Sequence, residues 1–338
     1  MCFNSLIGEI YMEKIVRKGQ EPIMKQHIHE NGMEYLTFPA LDATGIVSHS
    51  FSTRIGGASK GYYSATNFSF TRGDVKEDVE ENYRRMAQIL GYGRTLEHFV
   101  ATFQTHTTNV MRITKDDMGK GVCKDRNYVD VDGMITNEPG IILTTFHADC
   151  PPIYFVDPVH KAIGLSHSGW KGTVGRIGAR TVEAMTREFG TDPSDLICAI
   201  GPSICVDCYE VSSDVAEKFI EEFEIEDIPE YISDFENRNS DNPLEIYNNN
   251  FIEKVENTSS IIKRNREETP VILYKKAGSK YQLNLWEAIR RTLIEAGVKT
   301  YNISITDICS HCNPDYIFSH RTTGEKRGNL AAFLVLNS

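Results

Sequence analysis

Apolar positions recur with two different periods along this chain of 338 residues. Alternating apolar residues in "MEYLTFPAL" and "IVSHSFSTRIGGAS" predict strands, whereas "VKEDVEENYRRMAQILGYG" has helical spacing and Gly91 as its stop. Residues 1–30 are polar and weakly periodic, so we expect a loosely held N-terminal extension there. The folded domain is then predicted to cover residues 31–338.

Predicted strands alternate with helices beyond residue 98. One helix is expected in "TVGRIGARTVEAMTREFG", closed by Gly190, and another in "YQLNLWEAIRRTLIEAGV". Some predicted strands are hairpin-like and others are linked by helices, which favours a mixed sheet with helices on its outer face. Residues 221–270 are acidic and rich in asparagine, and we expect a solvated surface insertion there.

Composition and charge narrow the possible functions. With 40% hydrophobic and 25% charged residues, the chain is typical of a globular protein, and its net charge of -11 disfavours nucleic acid as a partner. It contains neither an apolar run of about 18 residues nor a secretory signal, so we expect a cytoplasmic protein without membrane contact. Eight cysteines are too few for a disulfide scaffold and should be thiols or metal ligands.

Three side chains that suit a soft metal stand where predicted strands run into turns: His106 in "QTHTTNV", Cys150 in "HADCPP" and His167 in "HSGWKG". Catalytic zinc uses three such ligands and keeps its fourth position open. Each residue alone has a structural explanation, as a hydrogen-bonded histidine or a small buried cysteine.

Two C-x-x-C pairs raise a separate question. Cys205 with Cys208, and Cys309 with Cys312, have the spacing of a structural zinc site. We favour buried thiols, and a second zinc site is the alternative.

Seven segments resemble, in order, the landmarks of the YfiH/laccase-domain family, also called the multicopper polyphenol oxidase or purine nucleoside phosphorylase family. They are "HSFSTRIGGASKGYYSATNFSF", "QTHTTNV", "DGMIT", "HADCPPIYFVDP", "GLSHSGWKGTVGRI", "IGPSICVDCYEV" and "CSHCNPDYIFSHR". The resemblance implies an α+β fold, a single α/β/β/α layered domain with mixed β-sheets. It also implies that His106, Cys150 and His167 hold the metal.

The activity that the resemblance implies is zinc-dependent phosphorolysis of adenosine, inosine, guanosine and methylthioadenosine, together with adenosine deamination. Asp149 would then orient a ligand or carry a proton, with a backbone cap as the structural alternative. Asn67 would hydrogen-bond the substrate or a turn. His147 stands where relatives usually have another residue, so we do not expect it to bind the metal.

Cations beside glycine-rich turns are candidates for binding phosphate. Arg54 and Lys171 are predicted to serve catalysis and phosphate binding, and Arg176 phosphate binding, with surface salt bridges as the competing explanation. The ending "FSHRTTGEKRGN" departs from the family pattern "FSYRRDG" and "TGR". Arg321 can still be assigned to substrate binding, whereas Arg327 cannot.

Three other functions compete with this prediction. Copper-dependent phenol oxidation is implied by the older family name. Laccase chemistry needs several coppers and many histidines, and one His, Cys, His set supplies too few ligands. A hydrolase that edits cell-wall precursors would use Cys150 as nucleophile and a histidine as base. A metal-stabilised binding module would have no catalytic role.

Overall fold

The computed structural model describes residues 15–19, 21–231 and 270–337. The strands within these residues are β1 (Lys25–Ile28), β2 (Glu34–Thr37), β3 (Val47–Ser52), β4 (Phe99–Ala101), β5 (Val110–Arg112), β6 (Gly133–Thr136), β7 (Ile142–His147), β8 (Pro152–Asp157), β9 (Ala162–His167), β10 (Ile197–Ile200), β11 (Glu210–Ser212), β12 (Leu273–Lys276), β13 (Lys280–Leu283), β14 (Ile303–Ile305) and β15 (Leu330–Leu336). The helices are α1 (Pro39–Asp42), α2 (Lys76–Leu90), α3 (Trp170–Val174), α4 (Ile177–Phe189), α5 (Ser213–Glu222), α6 (Leu285–Glu295) and α7 (His320–Thr323).

Two six-stranded mixed sheets form the centre of the fold. The first has the order β1-β2-β3-β15-β7-β4, and the second has the order β14-β10-β8-β9-β6-β5. Most neighbouring strands are antiparallel, but β4 runs parallel to β7, β5 to β6, and β10 to β14. A third, smaller sheet is antiparallel and has the strand order β11-β13-β12.

The sheets pack face to face and each carries helices on its outer side. Leu143 and Leu334 of the first sheet share one apolar cluster with Leu165 of the second. Helix α2 packs on the outer face of the first sheet, where Tyr83 lies against Phe333. Helices α4 and α6 pack on the outer face of the second sheet. Central strands such as β8, β9 and β15 are therefore buried along their whole length, which explains their continuous apolar sequences.

The predicted loose N-terminal extension does not extend to residue 30. Residues 25–28 form β1, which pairs antiparallel with β2, and Met24 is fully buried. The sequence signal was an Asn-Gly turn, since Gly32 has a positive φ of 87° between the two strands. Residues 1–14 lie outside the described residues.

The predicted acidic insertion also begins in packed structure. Phe223, Ile225 and Ile228 pack against the apolar cluster of the small sheet, and the Tyr231 hydroxyl donates to Asp207 Oδ1 at 3.0 Å. Apolar residues spaced among the exposed acidic ones explain why this part packs against the domain. The rest of the prediction, residues 232–269, lies outside the described residues.

The helix predicted after "HSGWKG" is interrupted. It divides into α3 and α4 because Arg176 adopts a left-handed φ of 62°, and Gly175 caps α3. Gly190 ends α4, as the sequence predicted. In the part of the chain that the structure describes, no helix has the length and apolar character needed to cross a membrane.

Candidate active site

Three strand ends bring His106, Cys150 and His167 together. His106 lies in the loop after β4, Cys150 in the crossing from β7 to β8, and His167 at the last position of β9. One ligand atom from each lies within 4.8 Å of the others, and Cys150 Sγ is 3.9 Å from His106 Nε2. The histidine rings meet edge to face with centroids 4.9 Å apart. These three residues could hold a metal ion.

Asp132, just before β6, organises this set although sequence analysis did not single it out. Its carboxylate is fully buried and its Oδ1 lies 2.8 Å from Nδ1 of His167. The backbone N–H of His167 also donates to the Asp132 carbonyl at 2.7 Å. His167 is thus fixed at both its ring and its backbone, which leaves Nε2 as its free ligand atom. The only signal was the aspartate that opens "DGMIT".

The same carboxylate shapes the loop that carries His106. Three consecutive backbone N–H groups, of Thr105, His106 and Thr107, donate to its oxygens at 2.9–3.1 Å. Converging amides of this kind form in turns that combine right- and left-handed residues, and His106 has a left-handed φ of 64°. The strained conformation therefore has a local cause, since it lets the loop satisfy a buried charge.

Ionisation in the metal-free site follows from these contacts. Burial would raise the pKa of the Cys150 thiol, but His167 and His106 lower it to about 6. Burial would lower the pKa of His167, but Cys150 and Asp132 raise it to about 9. Burial opposes ionisation of Asp132 as well, yet His167 and the loop amides hold its pKa at about 2. At neutral pH the site therefore contains a thiolate, an imidazolium and a carboxylate.

His147 is not directed at this cluster. Its Nδ1 lies 2.9 Å from the Cys150 carbonyl oxygen and its Nε2 lies 2.7 Å from Thr145 Oγ1. Both ring nitrogens are used, and burial, helped by the charge of His167, keeps its pKa well below the usual value. His147 is a neutral residue that supports the Cys150 turn.

A cavity of about 350 Å³ opens beside the three candidate ligands. It is lined by the following residues: Ser69, Phe70, Thr71, Arg72, Thr102, Phe103, Gln104, His106, Gly121, Arg126, Phe146, Ala148, Cys150, His167, Arg327 and Asn329. Three of these are phenylalanines and three are arginines. The arrangement suits a ligand with a flat apolar part and an anionic part.

The arginines of the cavity are Arg72, Arg126 and Arg327, none of which was selected from the sequence. Arg126 donates to the Thr102 carbonyl at 2.6 Å, and Arg72 bonds Glu325 at 2.7 Å. In the described part of the chain, the buried Nε atoms of Arg72 and Arg327 lack a hydrogen-bond partner. Burial, and next the charge of Arg72, lowers the pKa of Arg327. An anion bound here would relieve that repulsion.

The cations that the sequence favoured lie elsewhere, outside the cavity lining. Arg54 stacks on Phe318, 4.5 Å from the ring centroid, and donates to two backbone carbonyls. Lys171 is exposed beside Trp170. Arg176 pairs with Glu222 and Glu295.

Asn67, Asp149 and Arg321 support the walls of the site. Buried Asn67 accepts from the backbone N–H of Asn329 at 2.9 Å and donates to Asp74, so its side chain is fully used. Asp149, next to Cys150, accepts from Ser310 Oγ at 2.6 Å and from the Arg321 backbone N–H at 2.7 Å. The Arg321 guanidinium donates to the Glu210 carbonyl.

A family model described as multi-copper polyphenol oxidoreductase laccase matches residues 48–247 and 245–337. The chain belongs to this family. The match confirms the resemblance to the YfiH/laccase-domain family that the sequence landmarks indicated.

Relatives and solved structures extend the match over most of the chain. Purine nucleoside phosphorylase YlmD of Geobacillus stearothermophilus is 31% identical over 284 residues, covering 84% of this chain and 88% of its own length. Purine nucleoside phosphorylase of Bacteroides thetaiotaomicron is 29% identical over 304 residues, covering 89% and 96%.

The crystal structure of YlmD from Geobacillus stearothermophilus has a TM-score of 0.74 at 29% identity, covering 94% of this chain and 100% of that one. The crystal structure of the hypothetical protein YfiH of Bacillus licheniformis has a TM-score of 0.72 at 26% identity, covering 92% and 99%. These likenesses confirm the predicted α+β fold with mixed sheets.

We predict that Gly169→Ala weakens metal binding because the added methyl group would clash with two of the candidate ligands. A Cβ at Gly169 would lie 2.6 Å from His106 Cδ2 and 3.1 Å from Cys150 Sγ, so both would have to move. Gly172→Ala is the matched control, since its Cβ meets nothing closer than 3.5 Å. Overpacking costs about 1–3 kcal/mol, which corresponds to a roughly 5- to 150-fold loss of zinc affinity measured by chelator competition. Equal affinities in the two variants would contradict this steric role.

We predict that Cys150 in the chelator-stripped chain reacts with iodoacetamide with a midpoint near pH 6, because its pKa is lowered to about 6. The thiolate is the nucleophile, so the rate should rise through that pH and level off. Cys123 is the internal control, since burial and then Glu97 raise its pKa above the usual value. Peptide mass spectrometry assigns each site. A midpoint above pH 8 for Cys150 would show that the imidazoles do not stabilise its thiolate.

Proposed function

We propose that this chain is a zinc-dependent purine nucleoside phosphorylase that also deaminates adenosine. Its substrates would be adenosine, inosine, guanosine and methylthioadenosine, with phosphate as the second substrate. The observation that carries the proposal is the shared cavity, where His106, Cys150 and His167 lie beside three arginines. The names of the relatives support the same reaction class.

The donor set suits zinc. Two imidazole nitrogens and one thiolate are typical zinc ligands, and a zinc ion held by these three residues would keep a fourth position for water or substrate. Zinc bound there would supply Lewis acidity, which lowers the pKa of water and polarises a substrate atom. Asp132 would orient the His167 ring through its hydrogen bond with Nδ1, which leaves Nε2 to bind the ion.

We assign phosphate binding to Arg72, Arg126 and Arg327 instead of Arg54, Lys171 and Arg176. The first three line the cavity, and within the described residues the Nε atoms of Arg72 and Arg327 are buried without a hydrogen-bond partner. Guanidinium groups match phosphate through paired N–H donors. Of the other three, Arg54 bonds backbone carbonyls, Lys171 is exposed, and Arg176 is engaged by two glutamates.

In phosphorolysis a phosphate oxygen forms a bond to C1′ of the ribose while the bond from C1′ to the purine nitrogen breaks. The products are ribose 1-phosphate and the free base, which takes up the proton that hydrogen phosphate loses. The arginines would hold the phosphate in line and offset its charge. Phe70, Phe103 and Phe146 offer flat apolar walls for the purine.

Deamination would use the same cavity with water in place of phosphate. Water adds oxygen at C6 of the purine and ammonia leaves, so adenosine becomes inosine. The Asp149 carboxylate accepts hydrogen bonds from Ser310 Oγ and from the Arg321 backbone N–H. It could carry a proton only if these two hydrogen bonds were broken. We therefore assign it a positioning role at the Cys150 turn.

One observation favours a second candidate, a hydrolase with Cys150 as nucleophile. The Cys150 thiolate is the nucleophile, His167 is the base that has taken up the thiol proton, and Asp132, hydrogen-bonded to His167 Nδ1, orients its ring. Such an enzyme would stay active without metal. Phosphorylase activity that is lost with a chelator and restored by zinc separates the two.

The deciding experiment incubates the purified chain with adenosine, with and without phosphate, and separates the products by chromatography. The proposal predicts adenine and ribose 1-phosphate only when phosphate is present, and inosine in either case. His106→Ala, Cys150→Ala and His167→Ala should each remove zinc and both activities. Phenol oxidation after copper loading, without any nucleoside product, would favour the oxidase instead.

We predict that Arg327→Ala lowers kcat/KM for phosphate about 10- to 100-fold, since a hydrogen bond to a charged group contributes about 1.5–3 kcal/mol. Deamination should be affected less, because it requires no phosphate. Arg54→Ala is the matched control, and its partition between ribose 1-phosphate and inosine should equal that of the wild type. The opposite pattern, with only Arg54→Ala altering the partition, would place phosphate near Arg54.

A further inference from the structure

We propose a second, structural zinc site formed by Cys205, Cys208, Cys309 and Cys312. Their four sulfur atoms lie within 4.8 Å of one another. Cys205 and Cys309 are buried and the other two are half-buried. The cluster is separate from the candidate active site and takes no part in the function proposed above.

The geometry matches tetrahedral coordination. Zinc–sulfur bonds of about 2.3 Å place the sulfurs of a tetrahedral site roughly 3.8 Å apart. Cys208 Sγ and Cys312 Sγ are 3.5 Å apart, and all four cysteines are free thiols. Both pairs have C-x-x-C spacing, so each loop supplies two ligands, as in zinc ribbons. Four thiolates select zinc or iron, and a d¹⁰ ion without redox chemistry suits a structural role.

The surroundings are suited to the charge of such a site. Four thiolates around a divalent ion carry a net charge of about -2, which needs nearby donors and cations. The backbone N–H of Cys205 donates to Cys309 Sγ at 3.3 Å. Lys18 lies close enough to interact electrostatically with Cys205 and Cys312, and its Nζ donates to Asp207 at 2.9 Å.

The site would join three distant parts of the chain. Residues 15–19 reach it through the bridge between Arg17 and Ile308. The loops that carry the cysteines also hold the turn of the candidate active site, since Ile204 N donates to the Asp149 carbonyl and Ser310 Oγ to its carboxylate. We infer that this zinc fixes the scaffold behind Cys150 instead of taking part in the reaction.

Metal analysis of the full chain tests the proposal. We expect two zinc ions per wild-type chain and one in the double variant Cys208→Ser with Cys312→Ser, which should also unfold at a lower temperature. Cys123→Ser, at an exposed cysteine outside both clusters, should keep two ions and the wild-type unfolding temperature. Unchanged zinc content in the double variant, or iron with its visible absorption in the purified chain, would overturn the assignment.

Cobalt substitution keeps the test decisive if the double variant fails to fold. Cys150→Ser removes the only cysteine of the other cluster and leaves the four-cysteine cluster intact. Loaded with Co²⁺, this variant should show the intense thiolate-to-metal absorption of a tetrahedral site with four sulfurs. Absence of that absorption would overturn the proposal. A Cys150→Ser variant that loses one zinc ion but shows the four-sulfur absorption with Co²⁺ would leave the four-cysteine site confirmed and concern only the active-site zinc.

Discussion

The buried carboxylate of Asp132 is the constraint on which the candidate site depends. An ionised carboxylate without partners is costly to bury, so the chain must surround it with donors. The amides of Thr105, His106 and Thr107 and the ring of His167 meet this requirement. Satisfying one charge thus determines the positions of two of the three candidate metal ligands.

The position of the site between the two sheets follows from the same arrangement. β4 and β7 belong to the first sheet, whereas β6 and β9 belong to the second, so the loops at their ends converge. Gly169 leaves room for His106 against Cys150, and the C-terminal segment brings Arg327 to the cavity. The chemistry at this edge therefore depends on the packing of the two sheets and not on one compact motif.

The sequence pointed to the candidate ligands that stand beside recognisable turns, but it did not reveal the residues that only the tertiary fold brings to the site. His106 and Cys150 lie in loops after strands and His167 ends a strand, and turn chemistry beside them was visible. Asp132 was hidden because an aspartate before a glycine usually signals only a turn. Arg72, Arg126 and Arg327 come from three distant segments, and only the tertiary fold brings them to one cavity.

The errors in predicted elements have the same origin. Helical periodicity runs through Gly175 and Arg176, yet the ion pairs of Arg176 with Glu222 and Glu295 accompany a left-handed residue that divides the helix. The two C-x-x-C pairs lie far apart in the chain, so their spacing alone gave a shared zinc site only as the alternative. Long-range charge and packing override local pattern at these positions.

The zinc site that we propose requires Asp132 to hold His167 beside the arginine-lined cavity. Anomalous diffraction at the zinc edge, from crystals grown with phosphate, tests it most directly. We expect an anomalous peak within bonding distance of His106, Cys150 and His167, and phosphate density against Arg327. Asp132 should remain hydrogen-bonded to His167 Nδ1. A fully active, zinc-replete enzyme whose crystals show no anomalous peak at these three residues would contradict it.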